Sequence, residues 1–183
     1  MKIIRHWGIG WIIAFLSFPA GGVAAMLLIG RLETPLEGLL GGLAAGAIIG
    51  IGQMLALRRR LAIDWRWIVA TAVGMAAGLT LNLALFGAET HFNATLTRAP
   101  LTGLLLGLAQ WLVLRQYVRQ ALWWLPALTL IYTLAWFITA QVIGASLDEG
   151  FVVFGSSGAI LYQVLTGLTL WALLRLSQSP QQA

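Results

Sequence analysis

A chain of 183 residues in which 60% are hydrophobic and only 9% charged, with a mean hydropathy of +0.87, falls outside the range of soluble domains and reads as an integral membrane protein. It has no cysteine, which excludes disulfides, thiolate-held zinc, iron–sulfur clusters and a thiol nucleophile. Its formal charge of +5 sits between hydrocarbon-length runs rather than on one solvated face, which argues against nucleic acid as a partner.

A helix needs about 20 apolar residues to cross roughly 30 Å of hydrocarbon, and six runs approach or exceed that length. The first, 7–30, follows Lys2 and Arg5 and is too long for the apolar region of a signal peptide, so it is read as a span. Pro19, Gly21 and Gly22 predict a bend within it, because proline withholds a backbone donor. The second span is 38–57, and the third, 66–87, carries Thr80 and Asn82 near its middle. The fourth, 99–114, is short; it stands along the bilayer normal, thins the bilayer or recruits the preceding "ATLT". The fifth, 122–144, and sixth, 151–174, hold Thr129, Tyr132, Thr133, Gln141, Tyr162 and Gln163, so a polar cavity, if the bundle has one, is expected in this last hairpin. Residues 177–183 form a polar tail, and no soluble domain remains.

Orientation follows from the basic residues. Lys2, Arg5, Arg58, Arg59, Arg60, Arg66, Arg115, Arg119 and Arg175 fall on the side of the N-terminus, and only Arg31 and Arg98 fall opposite. The positive-inside rule then puts both termini in the cytoplasm, and the short loops suggest a bacterial inner membrane. Trp7, Trp11, Trp65, Trp67, Trp123 and Trp124 are expected to form an interfacial belt on that side.

The same string closes every second span: "GIGQMLALR" at 50–58, "GLAQWLVLR" at 107–115 and "GLTLWALLR" at 167–175. Odd spans end in Gly30, Gly87 and Gly144. The unit is a helical hairpin that returns the chain to its starting side, so successive units are parallel repeats about an axis along the membrane normal. The expected fold is all-α: one membrane domain of six transmembrane helices, as three tandem hairpins of about 1–60, 61–118 and 119–176 with pseudo-threefold symmetry. The second interval is three residues longer, which is assigned to the "ASLDEGF" loop.

Small residues recur every fourth position of the even helices, including Gly42, Gly46 and Gly50, then Gly103 and Gly107, then Gly167. Such stripes let helix backbones approach closely where no hydrophobic force drives association. One turn before Arg115 and Arg175 stand Trp111 and Trp171, read as headgroup-depth anchors, while the arginines reach water. Arg58, Arg115 and Arg175 would then meet anionic lipid headgroups or, around a pore, anionic species.

Gln53 and Gln110 are not explained by anchoring. Each lies about 7 Å inside its arginine, where an amide either bonds a neighbouring helix or contacts a headgroup, pigment or solute. Asn82 has the same two readings. The third unit has Leu170 at the glutamine position, which excludes a ring of three equivalent amides.

No Asp, Glu, Lys or His lies inside an apolar run, which argues against an enzyme, a proton relay and a metal site. His6 and His91 fall at opposite interfaces, so no pair can grip a haem between helices. No cofactor is expected, while bound lipid or pigment is compatible with the sequence.

Gly107, Gln110, Trp111, Leu114 and Arg115, followed by "WWLPAL", resemble the GxxQWLxLR-repeat proteins, small integral membrane proteins of phototrophic bacteria. The resemblance covers all three units and brings no activity with it; Met54 and Leu170 depart from the pattern. The function expected is a non-catalytic scaffold or accessory subunit packed against lipid, pigment or a larger membrane complex. The alternative is a small permease or channel for a neutral or weakly polar solute, lined by Gln53, Gln110 and Asn82.

Overall fold

In hydrocarbon every backbone N–H and C=O has to be bonded within its own segment, so apolar runs of this length fold as helices. The computed structural model describes residues 10–89, 92–143 and 156–178. Among them are six helices long and apolar enough to span a membrane: α1 (Gly10–Ile29), α2 (Pro35–Leu57), α3 (Arg66–Phe86), α4 (Phe92–Leu114), α5 (Ala121–Val142) and α6 (Ser156–Gln178). Trp7, His6, His91, Gly144 and the "ASLDEGF" loop lie outside the described residues.

The ends are set by local chemistry. α1 and α3 stop at Gly30 (φ 85°) and Gly87 (φ 71°), a left-handed conformation that glycine adopts without a Cβ clash. α2 begins in a capping box: Thr34 Oγ1 accepts from Glu37 N–H, and the Glu37 carboxylate accepts from Thr34 and Glu33 N–H, with Pro35 opening the helix. The disturbance expected in α1 is a single 3-10 turn, Ala14–Leu16, one turn ahead of Pro19.

α4 resolves the short fourth span by starting at Phe92, so the "ATLT" stretch is helical and the helix has 23 residues. Arg98 is therefore not outside the span, as its charge suggested, but in the second turn of α4, and Pro100 lies inside the helix. The charge is absorbed because the guanidinium leaves its own helix: Nη1 donates to Glu89 O and Nη2 to Phe86 O (2.9 Å), covering carbonyls at the end of α3.

Each helix packs on its neighbours in sequence, and α6 returns to α1. The glycine stripes lie in these seams. A Cβ added at Gly42, Gly46 or Gly50 would stand 2.5, 2.7 or 2.8 Å from the Cα of Ala76, Ala72 or Ile68, so α2 and α3 touch backbone to backbone over two turns. A Cβ added at Gly103 would stand 2.9–3.0 Å from Tyr132 Cβ and Thr129 Cα of α5, whereas one at Gly107 would have ordinary room, its nearest neighbour Leu128 Cβ at 3.4 Å. A Cβ added at Gly167 would stand 2.5 Å from the edge of the Trp11 ring, so the absence of a side chain there lets α6 close on α1.

The outward surface is apolar, with Leu27, Leu28, Leu85 and Leu130 each about two-thirds exposed or more. The expected tryptophan belt is corrected at three of its members. Trp65 and Trp123 are exposed, but Trp11, Trp67 and Trp124 are buried to 1% or less and belong to the core.

Two measurements check this packing. Gly42→Ala forces a methyl into the α3 backbone and should lower stability by about 1–3 kcal/mol, while Gly107→Ala should change it by less than about 1 kcal/mol, both read from unfolding in mixed micelles. In single-tryptophan variants reconstituted with brominated lipid, Trp65 and Trp123 should be quenched and Trp67 and Trp124 spared; equal quenching would contradict the burial.

Candidate functional site

Gln53 of α2 and Gln110 of α4 meet inside the bundle. Both are 2% exposed or less. Gln110 Nε2 donates to Gln53 Oε1 (3.2 Å) and to Thr71 Oγ1 (3.0 Å). Trp67 Nε1 donates to Gln53 Oε1 (3.2 Å), and Trp124 Nε1 donates to Gln110 Oε1 (3.1 Å). Thr71 passes its own proton to the Trp67 carbonyl (2.8 Å). Four helices are thus tied through one network, α2 and α4 supplying the amides and α3 and α5 the indoles. The Trp67 and Trp124 rings lie 6.5 Å apart and wall it from one side.

The pairing has a fixed spacing: each glutamine receives the indole 14 residues later in the chain. In the last hairpin a different glutamine serves. Leu170 is wholly buried at the position the repeated string assigns to an amide, and Gln163 stands seven residues earlier, two turns along the same face. Gln163 Nε2 donates to Trp11 O (2.6 Å), and Trp11 Nε1 donates to Gln163 O (2.7 Å). The bond joins the first helix to the last, through main-chain acceptors instead of an amide oxygen.

Deeper in the bundle, the side chains of α1, α3, α5 and α6 converge. Tyr132 OH lies 3.9 Å from Met75 Sδ, and the Tyr162 ring stacks edge-on against both Tyr132 (6.2 Å) and Phe18 (5.1 Å). Phe18, Met75 and Tyr132 are spaced by 57 residues, as are Gln53 and Gln110. Phe18, Met75, Tyr132 and Tyr162 are all 3% exposed or less.

The remaining candidates are spread out. Arg58, Arg115 and Arg175 are exposed at the ends of α2, α4 and α6; Arg115 and Arg175 fold over the faces of Trp111 and Trp171, 5.0 and 3.9 Å from the ring centroids. Asn82 bonds across to α4, its Nδ2 donating to Arg98 O (3.1 Å) and Thr102 Oγ1 (2.7 Å). Among the described residues, a cavity with polar residues in its lining draws on only the first helix of the last hairpin. It measures about 100 Å³ and lies among α3, α4 and α5 at the end holding the α1–α2 and α3–α4 loops, with Tyr132 and Trp136 as its share of α5 and no residue of α6.

Sequence reasoning missed Trp11, Trp67, Trp124, Thr71 and Thr102 as partners. The recurring 14-residue step from glutamine to tryptophan was the signal that could have found the two central pairs.

The network predicts non-additivity. Gln110→Leu leaves Gln53, Thr71 and Trp124 each short of a partner and should cost about 1–3 kcal/mol. In a double-mutant cycle with Gln53→Leu, the coupling should be near the ~0.6 kcal/mol average for interhelical hydrogen bonds in membranes and below about 1.7 kcal/mol. Strict additivity would mean the two amides do not interact.

No protein-family model, curated protein or solved structure matches this chain, so its geometry alone bears on function.

Proposed function

We propose that the protein is a non-catalytic scaffold or accessory subunit of a bacterial inner membrane, and a relative of the GxxQWLxLR-repeat proteins, a resemblance that brings no activity with it. Three helical hairpins repeat about a pseudo-threefold axis, both termini face the cytoplasm, and the outer face packs against lipid, pigment or a larger membrane complex. The observation that carries this proposal is the fate of the buried amides. Gln53 and Gln110, which a permease would turn toward a solute, are bonded to indoles, to a threonine hydroxyl and to each other, and Gln163 Nε2 donates to the main-chain carbonyl of Trp11. A transported solute would have to break that network at each passage, whereas a scaffold needs it intact.

The repeat is supported by the 57-residue spacing of residues that meet: Gln53 with Gln110, Met75 with Tyr132, and Gln120 with Ser177 (2.7 Å). The termini are assigned by the basic residues flanking α2, α3, α4, α5 and α6 at one end of the bundle. At that end the exposed arginines and Trp65 and Trp123 suit anionic headgroups, each basic residue near the surface contributing about 1 kcal/mol.

The test is purification from native membranes in mild detergent, with an absorption spectrum and mass spectrometry of what co-elutes. Stoichiometric protein partners or pigment absorbance are expected. A lone, colourless protein that carries neutral solutes across liposomes would overturn the proposal in favour of a permease.

A further inference from the structure

The cavity at the α1–α2 and α3–α4 loop end has walls that do not look like a packing defect. Its apolar sides come from Leu79, Leu83, Tyr132 and Trp136, and Ala88 stands exposed at the rim. Asn82 borders it and is 4% exposed. Its two amide hydrogens are committed to Arg98 O and Thr102 Oγ1, which fixes the orientation of the carboxamide and leaves Oδ1 with no hydrogen-bond partner among the described residues. Arg98 borders the same cavity, and although both Nη groups are engaged, its Nε is also unpartnered. Two residues that border one space therefore each carry a buried polar atom without a partner, an acceptor on Asn82 and a donor on Arg98. Unpartnered buried polar atoms also occur at Thr80, Thr139 and Gln163, but of these residues none borders the cavity, whereas Asn82 and Arg98 both do.

From this geometry we propose that the cavity binds a small uncharged hydroxyl- or amide-bearing group, which donates to Asn82 Oδ1 and accepts from Arg98 Nε. Charge selects the class. An anion would face the Glu89 carboxylate, which already interacts electrostatically with Arg98, and a cation would face the guanidinium. A group able both to donate and to accept satisfies the two orphan atoms at once. Size follows from the volume: an apolar cavity of about 150 Å³ accepts a six-atom ring, so about 100 Å³ suits roughly four non-hydrogen atoms. A ligand that small binds no more tightly than about 10⁻⁵–10⁻⁴ M. The same chemistry comes from two sources, a free solute such as a short amide or alcohol, or the headgroup hydroxyl of a lipid entering from the loop end. The site is separate from the Gln53–Gln110 network and does not depend on the scaffold proposal.

Saturation-transfer NMR on the full chain in detergent, with acetamide and acetate as probes, tests this alongside lipid mass spectrometry of the same preparations. Wild type should transfer saturation to acetamide and not to acetate. Asn82→Leu should raise the acetamide Kd about tenfold, the loss expected for one buried hydrogen bond. Ala88→Trp, which obstructs the mouth from an exposed position and leaves Asn82 in place, should abolish the signal even if Asn82→Leu folds poorly. If a hydroxyl-bearing lipid is the occupant, it co-purifies with wild type, is lost from Ala88→Trp, and blocks acetamide until it is stripped. The proposal is overturned if Ala88→Trp matches wild type in both acetamide signal and bound lipid, or if acetate binds in place of acetamide.

Discussion

An amide in hydrocarbon has no water to fall back on, and that constraint shapes this bundle. Gln53 and Gln110 sit where the only available partners belong to other helices, so α2, α3, α4 and α5 have to come within hydrogen-bonding distance of one another. The network alone does not bring them there, since interhelical hydrogen bonds in membranes contribute only about 0.6 kcal/mol each on average. Close approach comes from Gly42, Gly46 and Gly50 against the α3 backbone and Gly103 against α5. Packing supplies the attraction, and the amides and indoles specify the register at which it is made. A one-residue slip of α2 on α3 would carry Gln53 away from Trp67 and turn Gly46 off Ala72 together, so both features select the same alignment.

Much of the fold was legible because its signals are local. Apolar run length gave six spans, and Gly30 and Gly87 marked two helix ends by the one backbone conformation that favours glycine. The fourth span read short for a physical reason, and of the three outcomes that shortness left open, recruitment of "ATLT" is the one found. Counting apolar residues stops at Arg98, yet the free energy of that charge depends on where the guanidinium goes, and here it goes to the last carbonyl of α3 and to that of Glu89 just beyond it. Thr95 and Thr97 count against an apolar run in the same way, although Thr97 returns its hydroxyl proton to Asn93 O within its own helix (2.8 Å).

The tryptophans show the limit of reading by residue type. An indole serves equally at a headgroup interface or in a core that offers its N–H an acceptor. Trp65 and Trp67 are two positions apart, about 200° around a helix, so a pair that looked like one interfacial cluster is divided between lipid and core. Trp123 and Trp124 divide in the same way. Which member turns inward depends on where Gln53 and Gln110 lie on the facing helices. That is a property of the assembled bundle, and only the 14-residue step hinted at it.

The seam between α1 and α6 is built differently from the other five. It joins helices that have no loop between them, and its contact centres on Trp11, set against Gly167 and bonded both ways to Gln163. Where the other glutamines meet side chains, Gln163 meets main chain, and a main-chain acceptor survives any substitution of the residue that carries it. The indole ring itself fills the space left by Gly167, so here bulk against a glycine replaces the backbone contact that joins α2 to α3. Leu170, wholly buried where the string calls for glutamine, follows from this arrangement: with Gln163 serving two turns away, an amide at Leu170 would be a buried polar group in search of a partner. The departure of the third unit from the repeated string is thus the local solution to closing six helices into one bundle.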